Sequence, residues 1–207
     1  MNFLITGAAG FIGFHLSKNL LKNKNNKIYG IDNLDSYYSV ELKKKRIKLL
    51  NKNKNFIFIK KDLDNYNYLN KRFKKIKIDI VFHLAAQAGV RYSLVNPRKY
   101  VLKNIFIFFN LLKFIENINT KTIFYASSSS VYGDNKRFPL NEKLDLIPKN
   151  IYAFSKISNE ITARLFSNLF CKKFIGLRFF TVYGEWGRPD MLIFKYLNIA
   201  SKKKKFF

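Results

Sequence analysis

Acidic residues are scarce in this chain: 13 Asp and Glu stand against 39 Lys and Arg, leaving a formal charge of +26 over 207 residues. Cysteine is rarer still. Cys171 stands alone, so no intramolecular disulfide can form, and a reducing, cytoplasmic setting is expected. That cysteine and two histidines leave no cluster with metal-ligand spacing, and no metal is expected. No apolar run approaches the ~20 residues needed to cross a bilayer. The N-terminus passes directly from Asn2 into glycines rather than through a signal-peptide pattern, so neither a membrane nor secretion is expected. Glycine is sparse as well, nine in all, yet three of the nine fall within residues 7–13.

The positive charge carries no nucleic-acid grammar. Lysines are spread along the chain among Asn, Ile and Phe, residues that share A/T-rich codons, and there is no basic heptad helix, zinc-finger spacing or RNP-like aromatic motif. No nucleic-acid partner is expected. A hydrophobic fraction of 48% and a charged fraction of 25% are those of a globular protein, and the length suits one domain or one domain with the start of a second.

Short apolar runs alternate with longer helical patterns. Strands are expected at residues 2–6, 27–31, 56–59, 78–83, 122–126 and 174–178, with helices after the glycines and over roughly 40–50, 65–75, 98–117 and 152–170. A further helix begins near Met191, and the Lys/Asn stretch 51–55 reads as a loop. Strands alternating with helices predict an α/β fold, a doubly wound, mostly parallel sheet with helices on both faces.

The glycines carry the first chemical signal. Gly7, Gly10 and Gly13 lie between an apolar strand and a helix that opens with Phe11 and Ile12. Gly7 permits the turn off the strand, Gly10 admits a pyrophosphate to backbone N–H groups, and Gly13 lets helix and sheet pack closely. Asp32, 19 residues beyond Gly13, ends the second strand, where a carboxylate accepts from ribose hydroxyls and repels a 2′-phosphate. NAD is therefore favoured over NADP. Asp62 and Leu63 follow the third strand and can contact the adenine, although Asp62 also suits a helix N-cap. Ala85 and Ala86 follow the fourth strand with side chains small enough for a cofactor to pass. The second signal is Tyr152 and Lys156, four residues apart on one expected helix and downstream of the run Ser127 to Ser130. A lysine ammonium there, with the positive nicotinamide nearby, favours phenolate and lowers the tyrosine pKa.

These residues resemble the extended short-chain dehydrogenase/reductase superfamily, in its sugar-nucleotide epimerase branch. Four segments, TGAAGFIGFHL (6–16), LAAQAGVRYS (84–93), ASSSSVYG (126–133) and LRFFTVYG (177–184), with WGRPDM (186–191), look like UDP-glucuronate 4-epimerases. The resemblance covers essentially the whole chain and implies a Rossmann-like NAD-binding domain over 1–190. Residues 191–207 would open a substrate-binding region that is largely missing, since family members are longer. It implies that Tyr152 takes the proton of the sugar 4-hydroxyl, that Ser128 (with Ser129 the runner-up) bonds the same oxygen, and that Lys156 completes the set. Asn104 resembles a buried structural asparagine near the cofactor. Gln87, Arg91, Thr181 and Arg188 fall to the substrate, the two arginines being suited to a uronate carboxylate or a diphosphate. The partners implied are a UDP-sugar and a second copy of the chain.

The resemblance is not complete. Related dehydratases carry an acid just after the serine of this strand, where Ser129 and Ser130 stand here, so epimerisation is expected. Ile107 replaces a small glycine and Phe154 a small residue close to the expected cofactor path; both imply looser packing. With the closing part missing, poor activity or none is expected of these 207 residues.

Overall fold

The computed structural model describes residues 1–201. Six strands, β1 (Asn2–Thr6), β2 (Lys27–Asp32), β3 (Phe56–Lys60), β4 (Ile80–His83), β5 (Thr122–Ser128) and β6 (Lys173–Phe179), form one sheet in the order β3-β2-β1-β4-β5-β6. Every pairing is parallel. Parallel neighbours need crossovers, and these are made by helices α1 (Phe11–Leu20), α2 (Val40–Leu50), α3 (Tyr66–Phe73), α4 (Val90–Val95), α5 (Pro97–Tyr100), α6 (Ile107–Glu116) and α7 (Ile151–Phe170). Helix α8 (Leu192–Ser201) comes after β6.

Alternation along β1 divides the core in two. Phe3 and Ile5 face a cluster with Phe14, Leu21, Ile47 and Leu50 from α1 and α2. Leu4 faces a second cluster with Leu69, Phe73, Leu111, Phe114 and Ala163 from α3, α6 and α7. Both faces of the sheet are thus covered, which is why its central strands read as unbroken apolar runs. A chain short of acids caps its helices with neutral side chains. Ser39, Asn65, Asn96 and Asn150 accept from the N–H groups of Leu42, Tyr68, Lys99 and Ala153. Asn65 thus takes the cap that Asp62 could have supplied.

The expected helix over 98–117 is not uniform. After α5 the chain runs through a π-helical stretch, Val101–Phe106, before α6, and α4 is a short helix that no sequence pattern announced. The fourth strand starts at Ile80 rather than Ile78, because the Asp79 carboxylate accepts from Asn2 N–H at 2.7 Å and turns the chain into the sheet. Residues 51–55 form a turn, as expected. Ile107 is buried within the larger cluster. Phe154 is 48% exposed on the outer side of α7 and does not line the cavity, so its bulk is not in a cofactor's path.

Candidate active site

Strand order reverses direction between β1 and β4, the place where open parallel sheets hold ligands beyond their carboxyl ends. A cavity of about 900 Å³ opens there. Every residue anticipated for cofactor, substrate or catalysis lines it except Asn104.

The glycine turn is built for close approach. Gly7 has φ +74°, and a Cβ on it would lie 2.7 Å from Ala85 N across the switch point. A Cβ on Gly13 would come within 2.2 Å of the Gly7 carbonyl, so the first turn of α1 can sit against the loop only if that position is bare. Phe11, Ile12 and Gly13 of that turn line the cavity, and the first N–H groups of a helix have no intrahelical partners. Asp32 Oδ2 accepts from Ala9 N–H at 3.1 Å and Oδ1 from Leu34 N–H at 2.8 Å, which fixes the carboxylate at the end of β2. Burial pushes its pKa up, opposed by those N–H groups and by the Lys43 charge. Asp62, beyond β3, pairs with Lys103 at 2.7 Å and accepts from Asn33 at 2.9 Å.

Asn104 lies one layer behind. Its Oδ1 accepts from Gln87 N–H at 2.7 Å, and its amide donates to Gln87 O and to Ser155 Oγ. The π-helical stretch turns this side chain inward, where it ties the segment after β4 to α7; π-turns recur at functional sites.

Helix α7 presents Tyr152 and Lys156 on one face. The Lys156 ammonium donates to Ala126 O at 2.8 Å and stands 5.8 Å from the Tyr152 ring centre. Burial lowers its pKa to about 8. Burial dominates at Tyr152 too and raises its pKa, against the lowering effects of the Ser128 hydroxyl and the Arg188 charge. The lowered tyrosine pKa expected from the sequence is therefore not found in the protein alone: desolvation of the phenolate outweighs its neighbours. Of the two serines considered, Ser128 acts on the Tyr152 phenol, while Ser129 opens a 3₁₀ turn.

Arg188, which also lines the cavity, is gripped by Asp190 through two hydrogen bonds and lies over the rings of Tyr37 and Tyr38. Arg91 and Thr181 are exposed at the rim. Among the described residues, no group of three or more His, Cys, Asp or Glu could hold a metal ion.

Sequence reasoning missed several residues here. Arg46 is fully buried and donates to Ala9 O, Tyr38 Oη, Trp186 O and Gly187 O, tying the glycine loop to the loop that carries Arg188. Its signal was present: Lys43, Arg46, Ile47 and Leu50 follow helical spacing on the inner face of α2. Lys103 gave no such signal, because its partner Asp62 is 41 residues away.

A glycine cradle at the switch point with a Tyr-x-x-x-Lys helix beside it defines a protein of the extended short-chain dehydrogenase/reductase class. The family described as GDP-mannose 4,6 dehydratase matches residues 4–205, and the chain belongs to it. The chain is 49% identical to protein CapI of Staphylococcus aureus over 198 residues, 95% of this chain and 58% of that protein. It is 43% identical to UDP-glucuronate 4-epimerase 4 of Arabidopsis thaliana over 203 residues, 97% of this chain and 46% of that protein. Its fold superposes on a UDP-glucuronic acid 4-epimerase from Bacillus cereus, solved with UDP-glucuronic acid and NAD, with a TM-score of 0.91 at 37% identity; the match covers 99% of this chain and 64% of that one. The chain thus spans roughly half to two thirds of these relatives' lengths.

Proposed function

We propose that the chain carries the cofactor and proton-transfer half of an NAD-dependent UDP-glucuronate 4-epimerase, residues 1–190 forming the NAD-binding domain and 191–207 opening the substrate-binding region. The observation that carries this reading is the convergence on one cavity of the bare Gly7–Gly13 contact, the fixed Asp32 carboxylate and the Ser128–Tyr152–Lys156 set. The cradle fits a dinucleotide: Gly7, Gly10 and Gly13 line the cavity, and a Cβ at Gly7 or Gly13 would collide with the backbone of Ala85 or Gly7 and push the loop out of this shape. Bound NAD supplies a reversible hydride acceptor for the sugar C4.

The protein's own groups handle the proton and the geometry. Tyr152 takes the proton of the 4-hydroxyl, and Ser128 bonds the same oxygen. Lys156, held by the Ala126 carbonyl, brings positive charge beside the phenol. Phe11 and Ile12 offer N–H groups to the pyrophosphate, Gly10, whose own N–H is held by the Gly7 carbonyl at 2.9 Å, leaves room for it, Asp32 accepts from the ribose, and Asp62 with Leu63 borders the adenine beside Ala85 and Ala86. Gln87, Arg91, Thr181 and Arg188 face the nucleotide-sugar. Asp190 neutralises Arg188 in advance, and a substrate carboxylate or diphosphate competes with it. Epimerisation rather than elimination of water is supported by Ser129 and Ser130, which place no carboxylate beside the reacting carbon.

A second reading is a cofactor-binding portion without turnover. Helix α8 favours it: Leu192 lines the cavity and is 67% exposed, and Leu197 on the same helix is 58% exposed. Because the rest of the sugar's enclosure is needed to hold a keto intermediate, we expect these 207 residues alone to bind NAD and turn over poorly.

An apolar stripe along α7 (Phe154, Ile161, Leu165 and Leu169) adjoins Phe106 and Phe109, all exposed, and Phe109 meets Phe166 edge to face. A second copy of the chain is the occupant we propose for that stripe. Among the described residues no helix is long and apolar enough to cross a membrane, and the free, exposed Cys171 suits the reducing cytoplasm we propose.

The test is to titrate NAD by calorimetry, then incubate the chain with NAD and UDP-glucuronate and separate the products by chromatography, with Tyr152→Phe as the control. NAD binding with little UDP-galacturonate is the expected result. Turnover at ordinary enzyme rates (~1–10³ s⁻¹) that vanishes in Tyr152→Phe would discard the second reading, and absence of NAD binding would discard both.

A further inference from the structure

Three positions spaced by four on α7, Tyr152, Lys156 and Glu160, meet three consecutive residues at the end of β5. Ser128 acts on the Tyr152 phenol, Lys156 donates to Ala126 O, and between them the Ser127 hydroxyl donates to Glu160 Oε1 at 2.5 Å. Glu160 is in turn gripped by Arg178, whose Nε and terminal nitrogen reach the two carboxylate oxygens at 3.0 and 2.8 Å. Arg178 stands on β6 directly opposite Ser127 in the β5–β6 register, so strand pairing sends both side chains toward the same helix. The pair is largely sequestered, with side-chain exposures of 17% and 15%. Arg178 also donates to Tyr132 Oη at 3.1 Å, just past the serine run.

We propose that Glu160 is a positioning residue for this site: with Arg178 and Ser127 it locks α7 against the end of β5 and so sets how Tyr152 stands against Ser128. The proposal rests on the reading of Tyr152 as proton acceptor. A two-oxygen carboxylate held by a planar guanidinium has one favoured geometry, and Ser127 is the immediate neighbour of Ser128. Glu160 works through shape rather than through its own charge, which Arg178 neutralises. The groups that bear on the Tyr152 phenol are Ser128 from β5, Lys156 from α7, Arg188 from the loop after β6, and the Tyr100 ring at 6.0 Å from α5.

The experiment monitors Tyr152 itself and needs no turnover. Tyrosine is replaced throughout by 3,5-difluorotyrosine, whose more acidic phenol titrates in a milder pH range, and the ¹⁹F resonance of position 152 is identified by its loss in Tyr152→Phe. Glu160→Gln removes the Arg178 pairing, and Ser127→Ala deletes one hydroxyl from an otherwise intact strand, so at least one folded variant is available. Both are expected to raise the Tyr152 midpoint by about half a pH unit or more, because a Ser128 hydroxyl displaced from the phenol no longer favours phenolate. Glu160→Asp, which keeps the charge but shortens the reach, should restore part of the shift. Leu69→Ala, a core change on α3 that also lowers the melting temperature, should leave the midpoint in place. Midpoints that stay at the wild-type value in both Glu160→Gln and Ser127→Ala, with only the melting temperature falling, would overturn the proposal and leave Glu160 a purely structural ion pair. Failure of Tyr152 as proton acceptor would show separately, as product formation retained in Tyr152→Phe.

Discussion

Replacing Lys156 with methionine should make the protein more stable at neutral pH. The ammonium is buried, its one protein hydrogen bond goes to the Ala126 carbonyl, and its pKa falls from 10.5 to about 8 through desolvation. A pKa unit corresponds to about 1.4 kcal/mol, so keeping this lysine protonated costs the folded state about 3 kcal/mol. Methionine of similar length removes that cost but leaves the carbonyl without its donor, a loss of about 1 kcal/mol, for a net gain of about 2 kcal/mol. The pH dependence identifies the cause. Below pH 8 the lysine is protonated in both folded and unfolded chains, and the full penalty is present. Between pH 8 and 10.5 the unfolded chain still binds the proton while the folded chain has released it, so the wild type gains stability relative to the variant as pH rises. Urea unfolding of both proteins from pH 6.5 to 9.5 should show the variant ahead by about 2 kcal/mol at the acid end and the gap closing toward zero at the alkaline end. A variant less stable than wild type at pH 6.5, with a gap that does not change with pH, would refute the reasoning. It would mean that Lys156 is solvated or paired better than its single carbonyl contact indicates.

The cofactor cradle leads to two further outcomes. Asp32→Ala should weaken NAD binding by roughly 10- to 100-fold, the worth of hydrogen bonds to a charged group, and narrow any preference over NADP; calorimetry reads both, and equal wild-type affinity for the two cofactors would remove Asp32 from the ribose. Gly13→Ala places a methyl group 2.2 Å from the Gly7 carbonyl, so NAD binding should be lost and stability should fall by about 1–3 kcal/mol; an unchanged melting temperature would show that α1 has room to move.

How far the sequence could be read depends on whether a signal was local. Gly7, Gly10 and Gly13 announced themselves by spacing, and the sheet by short apolar runs between helical patterns. Tyr152 and Lys156 needed only the four-residue period of one helix. What stayed hidden depends on partners distant in the chain. The Ser127–Glu160–Arg178 network joins three elements and becomes visible only when β5 and β6 are paired in register. The rise in Tyr152 pKa is a property of burial, which the Tyr-x-x-x-Lys pattern does not contain. Phe154 was misplaced for a related reason: its position between Tyr152 and Lys156 in sequence suggested proximity, but a helix turns neighbouring residues to different faces, and Phe154 looks outward.

The π-helical stretch before α6 has a consequence for any attempt to improve this fold. A π-turn is in effect a helix with one residue too many, and deleting one residue from Val101–Phe106 would let the hydrogen-bond ladder run evenly from α5 into α6. The same deletion would rotate α5 by about 100° relative to α6. Asn104 could then not face both Gln87 and Ser155 while α6 kept Leu111, Phe114 and Ile115 in the core. The irregularity is a phase adjustment between two demands on one helix, an inward amide at its start and an apolar face along its length. A redesign that scores backbone regularity would select against it and lose the brace under Gln87.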